Sequence, residues 1–98
     1  GHTHTPVIFK LLSDRGDTDA IQPVYRHPKS LNGHRLIINP GSVGQPRDSN
    51  PDSAYAILEV EQMTWEHRRV AYPIAQTQER MKRIDMPERL IARLEHGW

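Results

Sequence analysis

Pro73 separates two kinds of sequence within this chain of 98 residues. Before it, apolar residues occur in short β-branched or aromatic runs, or alternate with polar residues, and both patterns are typical of strands. After it, residues 75–84 consist largely of good helix formers, and Pro87 suits the first turn of a second helix. This order predicts an α/β fold in which residues 1–72 form strands and loops and residues 74–97 form two closing helices.

Five segments before the helices are predicted to be strands. In chain order they are residues 7–12, 21–25, 35–39, 53–60 and 64–72. The last two should form a hairpin that turns at residues 61–63, and a long loop rich in proline and glycine should fill residues 40–51. Both faces of the strand at residues 53–60 are largely apolar, so we expect this strand to be covered on both sides.

The composition indicates that the core of this chain is incomplete. Hydrophobic residues make up 36% of the chain, and the mean hydropathy is -0.73. Both values are low for a short chain, which in any case buries a modest share of its surface on folding. We therefore expect the isolated chain to be poorly stable or to form a homo-oligomer.

Charge and cysteine content limit the partners and the cellular setting. The formal net charge is +1 at pH 7, with charges of both signs mixed along the chain, so neither nucleic acid nor a membrane is an expected partner. No apolar run approaches the roughly 20 residues of a membrane span. The chain has no cysteine, which excludes disulfides and thiolate metal ligands and agrees with a cytoplasmic location.

The chain begins with the sequence Gly-His-Thr-His-Thr-Pro, which places His2 and His4 one residue apart. In an extended backbone, alternate side chains point to the same side, so the two imidazoles are expected to project together. Neutral imidazole binds Mn²⁺, Fe, Ni²⁺ or Zn²⁺, and the pair could serve one metal ion or two neighbouring ions. A Gly-His start is also common in remnants of expression tags, although here the motif runs into a predicted strand without a linker.

The loop after Asn39 is a second candidate site. Its sequence is Pro-Gly-Ser-Val-Gly-Gln-Pro-Arg, ending at Arg47. Gly41 and Gly44 allow backbone N–H groups to approach an anion closely, and Arg47 could hold a phosphate oxygen. The alternative, which is favoured, is a structural turn between two strands that Asn39 and Ser42 fix by local hydrogen bonds. The candidate substrate-binding residues are Gly41, Ser42 and Arg47.

Together, the two motifs resemble the calcineurin-like metallophosphoesterase superfamily. More narrowly, they resemble its branch of small bacterial and archaeal phosphodiesterases related to diadenosine tetraphosphatases. Residues 53–59, 69–72 and 86–90 are also similar to that branch. The resemblance implies that residues 1–98 form the C-terminal part of a two-sheet α/β/β/α sandwich, with strands followed by two terminal helices. It further implies an N-terminal half of the same protein, missing from this chain, as the partner.

The resemblance also implies a chemistry. Members of the family hydrolyse phosphoesters, either phosphodiesters or phosphomonoesters, with a water activated by two divalent metal ions. Mn²⁺ is the expected metal, with Fe, Ni²⁺ and Zn²⁺ as alternatives, and the substrate is expected to be a small-molecule phosphoester or a nucleotide. By the family pattern, His2 and His4 each bind one of the two ions.

The family's other metal ligands are not found in this sequence: an Asp-x-His pair, a bridging aspartate, an Asn-His motif and a further histidine. We interpret His34 as a turn residue, His67 as a strand-surface residue and His96 as a helix-end residue. Two protein ligands make a weak metal site, so the chain alone is expected to be inactive. The alternative function is a non-catalytic fragment or interaction module that completes another chain's fold.

Overall fold

The computed structural model describes all residues from Gly1 to Trp98, as six strands followed by helices. The strands are β1 (Val7–Leu11), β2 (Thr18–Ile21), β3 (Lys29–Ser30), β4 (Leu36–Asn39), β5 (Ser53–Glu59) and β6 (Thr64–Val70). The helices are α1 (Ile74–Arg83) and α2 (Glu88–Ala92), and a single 3₁₀ turn (Arg93–Glu95) follows. None of them has the length and apolar character needed to cross a membrane.

The strands form two antiparallel sheets of three strands each. The first sheet has the order β2-β1-β4, and the second has the order β3-β6-β5. In the first sheet, Ile8 of the central strand lies opposite Ile38 on one side and Ile21 on the other. In the second sheet, β5 and β6 form the predicted hairpin, which closes with Glu59 opposite Thr64. The α/β fold, with strands first and two helices last, is confirmed.

Part of the small core lies between the two sheets. Ile8 is fully buried, and Trp65 of β6 is nearly so. Ile8 and Ile21 from the first sheet line one cleft of about 360 Å³ together with Trp65 from the second. The connection after β2 also ties the sheets together, because Tyr25 forms a single bridge to His67.

The second strand was predicted in the wrong place. Residues 21–25 were expected to be extended, but the strand ends at Ile21, where it pairs with Ile8. Pro23 has no N–H to donate, so the ladder cannot continue through it. The strand β3 was missed altogether, because its two residues, Lys29 and Ser30, are too few to show any periodicity.

The expectation that the strand at residues 53–60 is covered on both sides is wrong in this chain. Only Ser53 and Ala54 at its start are buried. Farther along, Ile57 on one face and Leu58 on the other are exposed, and the exposed fraction of Leu58 is 58%. The alternation correctly predicted a strand, but apolar residues on both faces do not supply the layers that would cover them.

The chain is elongated and buries little of its apolar surface. Its extents are 50 × 29 × 18 Å, and its radius of gyration is 16.1 Å, against about 13 Å for a compact domain of this size. Only 11 of 98 residues are buried. On the outer face of the first sheet, Phe9 lies opposite Ile37, and the exposed fraction of Ile37 is 74%. The low apolar content is therefore accompanied by an open core.

The helices form a small unit of their own at the C-terminal end. Gln78 of α1 donates a hydrogen bond of 2.9 Å from Nε2 to the carbonyl oxygen of Ile91 in α2. Ile91 and Leu94 are both buried. Gly97 then turns the chain with φ of 68°, and it lies so close to Asn50 that an added Cβ would be 2.7 Å from that residue's backbone. The helical unit is thus fastened to the loop that precedes β5.

We expect the isolated 98-residue chain to unfold without a single cooperative transition, or to self-associate, because so much apolar surface remains in water. Gel filtration with light scattering measures its oligomeric state, and circular dichroism on heating measures its cooperativity. A monomer that unfolds in one sharp transition would contradict this expectation.

Candidate functional site

Asn39 brings the two sequence motifs together. Its Nδ2 donates a hydrogen bond of 2.9 Å to the hydroxyl of Thr3, 36 residues earlier in the chain. Its Oδ1 accepts one, also of 2.9 Å, from the backbone N–H of Gly41. Gly1 packs against the same amide so closely that an added Cβ would lie 2.8 Å from Oδ1. The histidine motif and the Pro/Gly loop therefore form one continuous site, at the start of β1 and the end of β4.

The predicted geometry of the histidine pair is wrong. His2 and His4 were expected to project together from an extended backbone, but they lie in a turn. The backbone N–H of His4 donates a hydrogen bond of 3.1 Å to the carbonyl oxygen of Gly1. His4 also has φ of 60°, in the left-handed region, so the alternation of an extended strand does not apply. His2 is exposed and His4 is half-buried, and their role as metal ligands stays a prediction.

The ring of His4 is held in one orientation. Its Nδ1 lies 2.7 Å from the backbone carbonyl oxygen of Gln45. A carbonyl can only accept a hydrogen bond, so Nδ1 carries the proton and the lone pair is left on Nε2. Histidines that bind metals commonly donate their second ring N–H to a carbonyl or carboxylate in this way. The arrangement of His4 therefore fits a metal ligand that binds through Nε2.

The donor set of this chain fits only part of a metal centre. Nowhere do three or more His, Cys, Asp or Glu side chains converge in a way that could hold an ion. Protein metal sites commonly use three or four protein ligands. His2 and His4 could thus supply two ligands to a centre that other residues complete.

The three candidate substrate-binding residues differ in what they can offer. Gly41 is buried, and its N–H is already bound to Asn39. The hydroxyl of Ser42 accepts a hydrogen bond of 3.0 Å from the N–H of Gln45, so both residues fix the loop, as the structural interpretation predicts. Arg47 is exposed, and its guanidinium donates to the side-chain carbonyl of Gln45 at 2.8 Å. Of the three, Arg47 alone presents a charged donor group to solvent.

Three of the remaining histidines lie in other parts of the fold. His34 is exposed in the turn before β4, and His96 follows the 3₁₀ turn, where it stacks on Trp98 with ring centroids 4.5 Å apart. Both positions agree with the interpretations made from the sequence. His27 lines the cleft between the sheets.

A buried polar cluster that no sequence pattern predicted lies behind the loop. His67 was expected on the strand surface, but it is only 5% exposed, so that expectation is wrong. Beside it, Arg69 pairs with the carboxylate of Asp48. The same guanidinium donates hydrogen bonds of 3.3 Å and 3.0 Å to the carbonyl oxygens of Asn50 and Asp52. The alternation of Trp, His and Arg along β6 was visible in the sequence, but the carboxylate that lies 21 residues earlier gave no local signal.

The cluster contains polar atoms without partners. Neither Nδ1 of His67 nor Oδ1 of Asp48 has a hydrogen-bond partner, although both are buried. Burial lowers the pKa of His67, and the positive charge of Arg69 lowers it further, while Asp48 raises it in part. The ring stacks on Trp65 with centroids 6.2 Å apart. His67 is therefore a neutral imidazole near pH 7.

The Gly41→Ala substitution should destabilise the intact protein by roughly 2–5 kcal/mol. Gly41 has φ of 90°, and an added Cβ would lie 2.8 Å from Cβ of Ala54 and 3.0 Å from Pro6. Gly44→Ala is the matched control, because its Cβ would meet nothing within 4 Å. Urea unfolding measures the free energy of unfolding of both variants. Equal stability of the two variants would contradict the close packing and the positive φ at Gly41.

The stability of the intact protein should fall as the pH drops below 6.5, the ordinary pKa of histidine. Below this pH, His67 takes up a proton in the unfolded state. In the folded state its lowered pKa keeps the ring neutral. Because the unfolded state then binds more protons, acid favours unfolding. Urea unfolding between pH 7.5 and 5.5 measures the slope. His67→Gln should reduce this slope and His34→Gln should not; an undiminished slope in His67→Gln would refute the assignment.

No protein-family model matches the chain. Over its whole length, the chain is similar to a metallophosphoesterase from Sphaerobacter thermophilus of known crystal structure, with a TM-score of 0.91 and 38% identity, and it covers 40% of that chain. It is also 40% identical over 63 residues to an uncharacterised protein of Methanocaldococcus jannaschii, a match that covers 64% of this chain and 26% of that protein. The chain thus spans less than half the length of either relative. The similarity supports the metallophosphoesterase superfamily, and this α/β chain has the fold of part of a metallophosphoesterase.

Proposed function

We propose that this chain is the C-terminal part of a metal-dependent phosphoesterase that hydrolyses a phosphodiester or phosphomonoester. The orientation of His4 carries the proposal. In a chain with this fold, a histidine whose Nδ1 is bound to a backbone carbonyl 2.7 Å away has its Nε2 free for a metal ion. The sequence resemblance favours the branch of small bacterial and archaeal phosphodiesterases.

The proposed cofactor is a pair of divalent metal ions, with Mn²⁺ preferred over Fe, Ni²⁺ or Zn²⁺. His2 and His4 would each bind one ion, and the N-terminal half of the protein would supply the other ligands. When bound, such ions stabilise charge on phosphoryl oxygens and lower the pKa of a water molecule. Within this chain, Arg47 is the candidate to orient a phosphate oxygen, because its guanidinium is exposed at the same loop.

The N-terminal half is also the proposed structural partner. The outer face of the first sheet exposes Phe9 and Ile37, and a stable domain covers such a face with another layer. The substrate is proposed to be a small-molecule phosphoester or a nucleotide rather than nucleic acid, since the net charge is only +1. The absence of cysteine agrees with a cytoplasmic enzyme.

The second candidate is a non-catalytic module that completes the fold of another chain. The incomplete set of metal ligands favours it, as does the exposed sheet face, which could also support a homo-oligomer. The mass of the natural protein separates the two candidates. A mass well above 11.3 kDa, with Asp-x-His and Gly-Asn-His in the additional sequence, supports the enzyme, and a mass near that value supports the module.

In the full-length protein, replacing both His2 and His4 with alanine should lower Mn²⁺-dependent hydrolysis by more than about 100-fold, because direct ligands should matter more than the outer-shell groups whose loss costs 10–100-fold. Hydrolysis of bis(p-nitrophenyl) phosphate and p-nitrophenyl phosphate measures the loss and distinguishes the two ester classes. His34→Ala is the control, since His34 lies in an exposed turn. Unchanged activity of the double variant would rule out this site assignment.

A further inference from the structure

The loop segment between Gln45 and Asp48 holds His4 at two points. The carbonyl oxygen of Gln45 lies 2.7 Å from Nδ1 of the ring. Two residues later, the backbone N–H of Arg47 donates a hydrogen bond of 3.2 Å to the carbonyl oxygen of His4. The direction of the His4 ring therefore depends on where this segment lies.

Arg69 fixes the C-terminal end of the same segment. Its side chain is only 9% exposed, and it pairs with the carboxylate of Asp48. It also binds the carbonyl oxygens of Asn50 and Asp52, so one guanidinium holds three groups along five residues of loop. A lysine ammonium has no planar fork and cannot reproduce this arrangement. Because Arg69 lies within β6, it connects the loop to the second sheet.

Other contacts hold the start and the middle of the loop. The carbonyl oxygen of Ser42 accepts a hydrogen bond of 2.9 Å from the backbone N–H of Ala54. The hydroxyl of Ser53 donates a hydrogen bond of 2.7 Å to the carbonyl oxygen of Val43. Pro46 is fully buried. The loop should consequently remain folded without Arg69. Its end near Arg47 would lose the ion pair and keep one backbone hydrogen bond, of 3.0 Å from the N–H of Ser49 to the carbonyl oxygen of Gly97.

We propose that Arg69 and Asp48 are positioning residues for His4: their ion pair holds the segment from Gln45 to Asp48 in the place where it orients the His4 ring. This inference rests on the proposed function in one respect, namely that the oriented ring serves a metal ion. Neither residue touches that ion or the substrate. Their effect is transmitted through the backbone of the loop.

The experiment uses the full-length protein with Arg69→Met, Arg69→Lys and the double variant Asp48→Asn/Arg69→Met, which leaves no unpaired buried charge. The matched control is Arg68→Met, the neighbouring position on the opposite face of β6, where Arg68 pairs with Glu66 at 2.9 Å. Long-range ¹H–¹⁵N NMR of the metal-free protein, assigned with His4→Ala, reports the tautomer of His4. Titration with Mn²⁺ reports metal affinity, and thermal unfolding reports stability.

In the wild-type protein and in the Arg68 control, His4 should carry its proton on Nδ1 alone. In all three test variants the ring should show a mixture of tautomers, and the affinity for Mn²⁺ should fall 10–100-fold, as is usual when outer-shell partners are lost. A lower melting temperature with unchanged tautomer and affinity would mean that Arg69 is merely structural and would overturn the proposal. If the wild-type protein does not bind Mn²⁺, the proposed function fails, and the NMR result alone decides whether Arg69 positions His4.

Discussion

The side-chain amide of Asn39 is the contact on which the candidate site depends. Its nitrogen binds the hydroxyl of Thr3 and its oxygen binds the N–H of Gly41, so one planar group joins two segments that are far apart in the sequence. Both halves of the amide are needed, because an ionised aspartate could accept but not donate. Once the two segments are joined, the turn that carries His4 lies beside the loop that receives its ring.

The open core and the isolated histidine pair occur in the same chain. Apolar side chains such as Phe9 and Ile37 remain exposed on the first sheet, and no group of three or more candidate metal ligands forms around His2 and His4. A second layer against the first sheet would remove that apolar surface from water. If that layer also brought carboxylates and imidazoles to the start of β1, folding and metal binding would be coupled, because metal ligands from both parts would hold the layers together.

Local patterns predicted four of the six strands and both helices, but they misplaced β2 and missed the two-residue β3. They also failed at the site, where distant contacts decide the outcome. The hairpin of β5 and β6 follows from alternation alone. His67 also alternates with polar neighbours, but its burial depends on distant segments, because Tyr25 packs edge-on against its ring and Pro6 and Asp48 line the same pocket. The partnership of Arg69 with Asp48 has no local signal at all. The turn at His4 depends on a positive φ in a residue other than glycine, which is uncommon and is not encoded by any periodicity.

The cluster around Arg69 suggests why an ion pair, rather than an apolar contact, holds the loop. Burying a guanidinium and a carboxylate is costly, and such a pair often adds little net stability. Its advantage is a fixed geometry, because the planar guanidinium binds Asp48 and two carbonyl oxygens at once. An apolar contact has no directional requirement and would let the loop shift along the sheet. Burial and Arg69 also lower the pKa of His67, so no second positive charge competes for the carboxylate. A loop that holds the His4 ring through a single hydrogen bond depends more on this fixed direction than on added stability.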